Sequence, residues 1–293
     1  MTMILDGKGL AQKLRVKVKA EVEGLTSGGR RAPHLAAILV GEDGASKTYV
    51  RSKERDCEFV GFESSVHRLP ETTSEQDLLD LINSINNNDD IDGLIVQLPL
   101  PKHINSEKVT EAISPFIDVD GFHTNSVGRL TKGEDTFISA TPFGIIMMLE
   151  NYGIETSGKH CVVIGRSNIV GRPMSILMSR NDYPGNCTVT LCHSRTKNLK
   201  DFTLQADIVI AALGWPDFLK EDMVKKGAVV IDVGITRVDA DNERGYVLKG
   251  DVDFEALKDK TSAITPVPGG VGPMTRYGLL FNTLKSYKQK MQL

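Results

Sequence analysis

Tyr49 and Lys53 lie four positions apart in a segment whose pattern predicts a helix over 46–60, which sets both on one face. An aromatic plane beside an amine can hold a flat heterocycle and move a proton. An arbitrary Tyr-x-x-x-Lys is more often a plain surface pair, so the surrounding residues decide. Gln97 stands at the C-terminal end of the apolar run IDGLIVQL (91–98), the end at which open α/β sheets place their ligands. Asp118 and Asp120 flank Val119 before Gly121, and one carboxylate there suits an amino-heterocycle through charge-assisted hydrogen bonds.

A second set of residues points to a nucleotide. In VVIGRSNIVGRP (162–173) an apolar strand runs into Gly165, a polar turn with Arg166 and Ser167, and then a helix, the arrangement that turns backbone N–H groups and a helix dipole toward phosphate. It is not a G-x-G-x-x-G motif: Gly165 and Gly171 are six apart, and Ser167 stands at the second glycine position. The next apolar strand ends in His193-Ser194-Arg195-Thr196-Lys197, without the acid that would bond a ribose 2′-hydroxyl. Arg195 and Lys197, with Arg166, suit a 2′-phosphate instead, because guanidinium donates two hydrogen bonds at once. This favours NADP over NAD; a bare solvated loop is the plainer alternative. A third segment, TPVPGGVGPMT (265–275), packs three prolines and three glycines into nine residues, a shaped loop suited to close contact with a flat ligand.

The elements that must hold these groups follow from periodicity. Leu10, Leu14, Val18, Val22 and Leu25 predict a first helix, HLAAILV (34–40) a strand, and 46–60 a helix with Ser46 as candidate N-cap and Gly61 as its stop. Ser74 caps an expected helix over 75–87, and 91–98 reads as a buried strand ended by Pro99 and Pro101. The stretch 117–141 is polar and weakly periodic, and a boundary is expected near 140. Beyond it, strands at 160–165, 187–193, 206–213 and 228–234 alternate with helices, including one between the last two strands, as in a parallel sheet covered on both faces. A final helix is expected from Pro273 to Lys288. The expected fold class is α/β with two domains, residues 1–140 with 273–293 and residues 141–272, the second Rossmann-like.

Composition limits the alternatives. The chain has 293 residues and a net charge of −3, with 40% hydrophobic and 25% charged residues, a profile of a soluble globular protein without the basic excess of a nucleic-acid binder. No run approaches the roughly 20 apolar residues of a membrane helix, and no secretory signal is apparent. Cys57, Cys161, Cys187 and Cys192 form no C-x-x-C pair and no zinc spacing, so buried reduced thiols in a cytoplasmic protein, and no metal, are expected.

Taken together, YVRSKERDCEFVGF (49–62), GLIVQLPLP (93–101), DVDGFH (118–123), VVIGRSNIVGRPM (162–174), DVGI (232–235), GDVDF (250–254) and ITPVPGGVGPMT (264–275) resemble, in order and spacing, the methylenetetrahydrofolate dehydrogenase/cyclohydrolase family of one-carbon metabolism. The resemblance implies an N-terminal folate-binding catalytic domain, a Rossmann-like NADP-binding domain, an active site in the cleft between them, and a cytoplasmic homodimer. It implies NADP-dependent oxidation of 5,10-methylenetetrahydrofolate to the methenyl form, then hydrolysis to 10-formyltetrahydrofolate, a supply for purine biosynthesis. Lys53 would be the central catalytic group, with Gln97 favouring its neutral form, Tyr49 placing the folate ring and Asp120 anchoring the pterin. Leu98, Pro99, Pro268, Gly269, Gly270, Val271 and Gly272 would line the folate site. Gly165, Arg166 and Ser167 would cradle NADP, with Ser194 and Arg195 near its 2′-phosphate and Ile235 near the nicotinamide.

Two positions depart from the family pattern: Ile117 replaces the lysine usual before Asp118, and Ser139-Ala140-Thr141-Pro142 stands where many members have Pro-Cys-Thr-Pro. They raise the first alternative, a dehydrogenase that has lost cyclohydrolase activity. The others are an NADP-dependent dehydrogenase of another small acid, of the shikimate or amino-acid type, and a catalytically silent NADP-binding or scaffold protein.

Overall fold

A computed structural model describes residues 2–243 and 245–293. In chain order the first half carries β1 (Met3–Ile4), α1 (Gly7–Ser27), β2 (His34–Val40), α2 (Gly44–Val60), β3 (Glu63–Leu69), α3 (Glu75–Asn86), β4 (Gly93–Val96), α4 (Ser106–Ala112), α5 (Thr124–Lys132) and α6 (Ala140–Asn151). The second half carries β5 (His160–Ile164), α7 (Gly171–Ser179), β6 (Thr188–Cys192), α8 (Leu199–Thr203), β7 (Ile208–Ala211), β8 (Val229–Asp232), β9 (Thr236–Asp239), β10 (Tyr246–Lys249), α9 (Phe254–Leu257), β11 (Ala263–Ile264) and α10 (Val271–Lys290). The chain divides into two compact units: Gln12–Ala140 with Arg276–Leu293, and the chain up to Ala11 with Thr141–Thr275.

The first of these units is built on a three-stranded parallel sheet, order β3-β2-β4. The central strand β2 is an apolar run buried along nearly its whole length, the pattern of a strand covered on both faces. Ile38, Leu78, Ile82 and Leu94 meet in its core. Helix α2 is capped by Asp43, whose carboxylate accepts the Ser46 N–H, so Ser46 lies in the first turn and is not the cap. An acid three residues earlier reaches the orphan N–H that a cap must satisfy. Gly61 ends α2 in the left-handed region, φ +81°, and Ser74 caps α3, both as the sequence indicates. The polar stretch 117–141 contains α5, capped by the His123 ring. The ladder of β4 is shorter than its apolar run, and β3 escapes periodicity because ESSVHRL carries little apolar signal.

The other unit is a six-stranded, all-parallel sheet of order β1-β11-β8-β7-β5-β6. Strand β5 lies between β6 and β7, so the crossovers leave it in opposite directions, the switch point of a doubly wound fold. The first residues belong here and not with 12–140 as the sequence suggested, because β1 pairs with β11 in register Met3–Ala263 and Ile4–Ile264. The helix expected between β7 and β8 is a single 3-10 turn at Glu221–Met223, in a segment that turns at Pro216 and at Asp217, φ +53°. The hairpin β9–β10 is antiparallel and stands apart from the main sheet. All four cysteines are buried and unpaired, no group of metal-ligating side chains occurs among the described residues, and no described helix is long and apolar enough to cross a membrane.

Candidate active site

Helix α2 sets Tyr49 and Lys53 one turn apart, both partly buried. Gln97 follows β4 directly; its N–H still bonds the Ile38 carbonyl of β2 at 2.9 Å, which fixes the residue at the strand end. There Lys53 Nζ donates to Gln97 Oε1 at 3.2 Å, while Gln97 Nε2 donates to the Leu98 carbonyl at 2.8 Å. The amide therefore offers Lys53 its oxygen, and its orientation is set by the bond its nitrogen makes. Burial pushes the Lys53 pKa down and the Asp120 carboxylate partly restores it. The Asp120 carboxyl is pushed up by burial and pulled down by Lys53. The two form an electrostatic pair, and a lysine of lowered pKa is a usable base near neutral pH.

Asp118, two residues earlier, has a different part. It is 1% exposed, its Oδ2 accepts the His123 N–H at 2.8 Å and the Ser126 hydroxyl at 3.3 Å, and it shapes the loop that presents Asp120. Its Oδ1 has no hydrogen-bond partner, and burial first, with Asp120 adding, pushes its pKa up to about 6. Gly121 (φ +70°) allows the loop to pass close to residues 137–139; a Cβ there would stand 2.7 Å from the Ser139 nitrogen.

The nucleotide-type residues all lie in the other unit. Gly165 ends β5 with φ +117°, and a Cβ on it would stand 2.1 Å from the Ala212 carbonyl oxygen. A Cβ on Gly171 would stand 1.9 Å from the Gly165 oxygen, so the spacing of six serves a tight return of α7 onto the strand end. Ser167 Oγ accepts the Val170 N–H at 3.1 Å and the Gly171 N–H at 3.4 Å, which holds the turn that leads into α7. Arg166 and Ser167 are exposed. After β6, the Arg195 N–H bonds His193 Nδ1 at 3.1 Å and the His193 N–H bonds Thr196 Oγ1 at 2.9 Å, a tight turn with exposed Ser194 and Arg195. These bare-backbone approaches and the exposed cation fit a dinucleotide diphosphate with a 2′-phosphate.

Two buried acids were not singled out by sequence. Asp232 ends β8; its carboxylate accepts the N–H groups of Gly234, Asp251 and Val252 at 2.8 to 3.0 Å, and burial pushes it up to about 7. Asp251, fully buried, accepts the N–H groups of Leu213, Gly214 and Trp215. Their signal was an acid closing an otherwise apolar strand, VVID, and a second acid after Gly250. Ile235 follows Gly234 and is exposed. Pro268 and Gly269 precede α10, whereas Val271 and Gly272 are already its first residues; the Lys8 N–H bonds the Gly269 carbonyl at 2.8 Å. Lys53, Tyr49, Gln97, Leu98, Pro99 and Asp120 thus share one unit, and Pro268–Gly272 lie in the other.

Comparison with known proteins covers both units. The family profile described as tetrahydrofolate dehydrogenase/cyclohydrolase, catalytic domain, matches residues 5–120, and that described as tetrahydrofolate dehydrogenase/cyclohydrolase, NAD(P)-binding domain, matches residues 139–291. The chain is 60% identical to the bifunctional protein FolD of Flavobacterium psychrophilum over 98% of both chains. It is similar to the crystal structure of the bifunctional FolD methylenetetrahydrofolate dehydrogenase/cyclohydrolase of Campylobacter jejuni, at 46% identity and a TM-score of 0.93 over 99% of each chain. The Trypanosoma brucei methylenetetrahydrofolate dehydrogenase-cyclohydrolase, solved with NADP cofactor and inhibitor, is 34% identical with a TM-score of 0.94, over 100% of this chain and 99% of that one.

Proposed function

The chain belongs to the tetrahydrofolate dehydrogenase/cyclohydrolase family, and on that premise we propose that it oxidises 5,10-methylenetetrahydrofolate with NADP and hydrolyses the methenyl product to 10-formyltetrahydrofolate. The observation that carries the reading is the bond from Lys53 to Gln97 beside Asp120, with the lysine's pKa lowered by burial. NADP, when bound, supplies the acceptor for the hydride that leaves the methylene carbon. Gly165, Arg166 and Ser167 hold its diphosphate, Ser194 and Arg195 its 2′-phosphate, and Ile235 the nicotinamide side.

In the hydrolytic step, water adds to the electrophilic methenyl carbon and loses a proton; the bond from that carbon to N5 then breaks as the hydroxyl gives up its proton and N5 takes one up, leaving the carbon as the formyl group on N10. Neutral Lys53 takes the proton that the water loses, and the amide oxygen of Gln97 orients its nitrogen. Asp120 accepts from the amino-heterocycle of the folate, and Tyr49 packs against the ring. Leu98, Pro99 and Pro268 to Gly272 complete the folate contacts, with residues 1–140 and 273–293 as the folate part and 141–272 as the dinucleotide part, less the first strand. Ile117 and Ala140 are buried apolar residues, neither of them a partner in the Lys53–Gln97 hydrogen bond, and both activities are retained in this reading. The working form is a cytoplasmic homodimer whose formyl product enters purine biosynthesis.

The test is to mix the purified protein with 5,10-methylenetetrahydrofolate and NADP or NAD, following reduced cofactor and methenyl absorbance separately. Reduced NADP without lasting methenyl, after subtraction of spontaneous hydrolysis, is the expected result. Persistent methenyl would mark a monofunctional dehydrogenase; no turnover with either cofactor would remove the assignment. Light scattering that returns a monomer mass would remove the dimer.

A further inference from the structure

The chain has a single tryptophan, Trp215, and it is 66% exposed. Large aromatic side chains left in water forgo a considerable burial term, yet this one is fixed in place. The loop after β7 that carries it is tied by three hydrogen bonds to Asp251: the Leu213 N–H at 2.6 Å and the Gly214 N–H at 3.1 Å go to Oδ2, and the Trp215 N–H at 2.8 Å goes to Oδ1. Gly214 sits at φ +72°, a conformation that favours glycine, and the Asp251 N–H is itself held by Asp232 Oδ1 at 2.8 Å. The indole leans on Phe218, ring centroids 5.7 Å apart and planes inclined at 50°.

The position of this loop gives the aromatic face a ligand. Ala212, three residues before Trp215, has its carbonyl oxygen where a Cβ on Gly165 would press, so the loop after β7 lies directly against the phosphate-type loop after β5. The loops after β5, β6 and β7 surround the switch point of the sheet, where open α/β sheets bind their ligands. Within that group the loop after β5 has the glycines and helix mouth for phosphate, and the loop after β6 has Arg195 for the 2′-phosphate of the adenosine ribose. What a dinucleotide then still presents nearby is a flat base, and an exposed aromatic face binds bases by stacking.

We propose that Trp215 is the stacking wall for the adenine of NADP and that Asp251 is the positioning residue that holds it there. The proposal rests on the dinucleotide reading of this unit. It predicts that the fluorescence of the sole tryptophan reports binding directly. Titration with NADP and with adenosine 2′,5′-bisphosphate should quench the emission, while nicotinamide mononucleotide should leave it unchanged, with calorimetry on the same samples giving Kd independently. Trp215→Ala, at an exposed site, should raise the calorimetric Kd for adenosine 2′,5′-bisphosphate on the order of tenfold, and Trp215→Phe should restore most of the affinity. Asp251→Asn should reduce the quenching and raise Kd with an unchanged far-ultraviolet dichroism spectrum.

Heat of binding without quenching, quenching by nicotinamide mononucleotide alone, or an unchanged Kd in Trp215→Ala would overturn the role of Trp215. Full quenching and affinity in Asp251→Asn would overturn that of Asp251. Absence of binding heat with NADP itself would instead remove the dinucleotide reading, and the proposal with it.

Discussion

Lys53 and Gln97 come from different elements, a helix and a strand end, and meet at 3.2 Å with the lysine as donor. Because the Gln97 nitrogen is committed to Leu98, the lysine faces an acceptor that carries no charge. A carboxylate in that place would hold the ammonium form; an amide allows the proton to leave. Lys53→Met should therefore reduce methenyl hydrolysis by roughly a hundredfold or more while NADP still binds. Hydrolysis at the original rate in that variant would sink the role given to Lys53.

The pH profile carries the sign of the Asp120 interaction. On the proposed mechanism hydrolysis needs neutral Lys53, so the rate should rise with pH through the lysine pKa, which burial has lowered and Asp120 partly raised. Removing that charge lets the pKa fall further. In Asp120→Asn the midpoint of the rising limb should move to lower pH, even as the overall rate drops. A limb that stays in place, or moves up, would mean that the two groups are not coupled.

Cofactor choice should respond to Arg195. Arg195→Ala removes a guanidinium that suits a 2′-phosphate, so NADP should weaken roughly tenfold while NAD changes little. Equal effects on both cofactors would take Arg195 out of 2′-phosphate recognition.

Asp118 ties stability to pH. Its folded pKa, about 6, lies above its ordinary value of 3.8, so between these values the folded protein holds a proton that the unfolded chain has lost. Stability from this group is full below about pH 4 and is lost as pH rises to about 6. Asp118→Asn mimics the protonated form. Relative to the parent it should gain about 2–3 kcal/mol between pH 4 and pH 7 and then level off. Chemical denaturation of both proteins across that range checks this; a constant difference would contradict it.

Asp56 anchors the helix that bears Lys53. It is buried, pairs with Arg15 of α1, and its Oδ2 lies 3.0 Å from Arg276 Nη1 of α10. Truncation would leave two partly buried cations without their carboxylate. Asp56→Ala should cost about 3 kcal/mol in denaturant unfolding; a loss below about 0.5 kcal/mol would show that the arginines find other partners.

The sequence was most legible where residue type and element agree. The glycine at the end of β5, the stop at Gly61, the cap at Ser74 and the apolar strands of the parallel sheet follow from period and punctuation. It was least legible where tertiary partners decide. Met3–Ile4 is a strand only because β11 lies beside it, and β3 is polar enough to hide. Thr236–Asp239 and Tyr246–Lys249 pair with one another away from the main sheet. Asp251 gives only a faint local signal, an acid after Gly250: its meaning lies in three N–H groups some 36 to 38 residues away. Even the Lys53–Gln97 bond spans 44 positions, so chemistry and strand-end placement could suggest it, and only the fold could make it.

Strand β1 has a consequence for how the chain is made. Among the described strands it is the first in chain order, and its partner, Ala263–Ile264, is the last. Until those residues emerge, the six-stranded sheet cannot be completed, however early β5 to β8 have assembled, and its outer strand displays unpaired hydrogen-bonding groups. A fragment beginning at the family boundary near residue 139 would carry that open edge permanently. The growing protein carries it only in transit, until the last-made strand of the sheet takes up an early-made one.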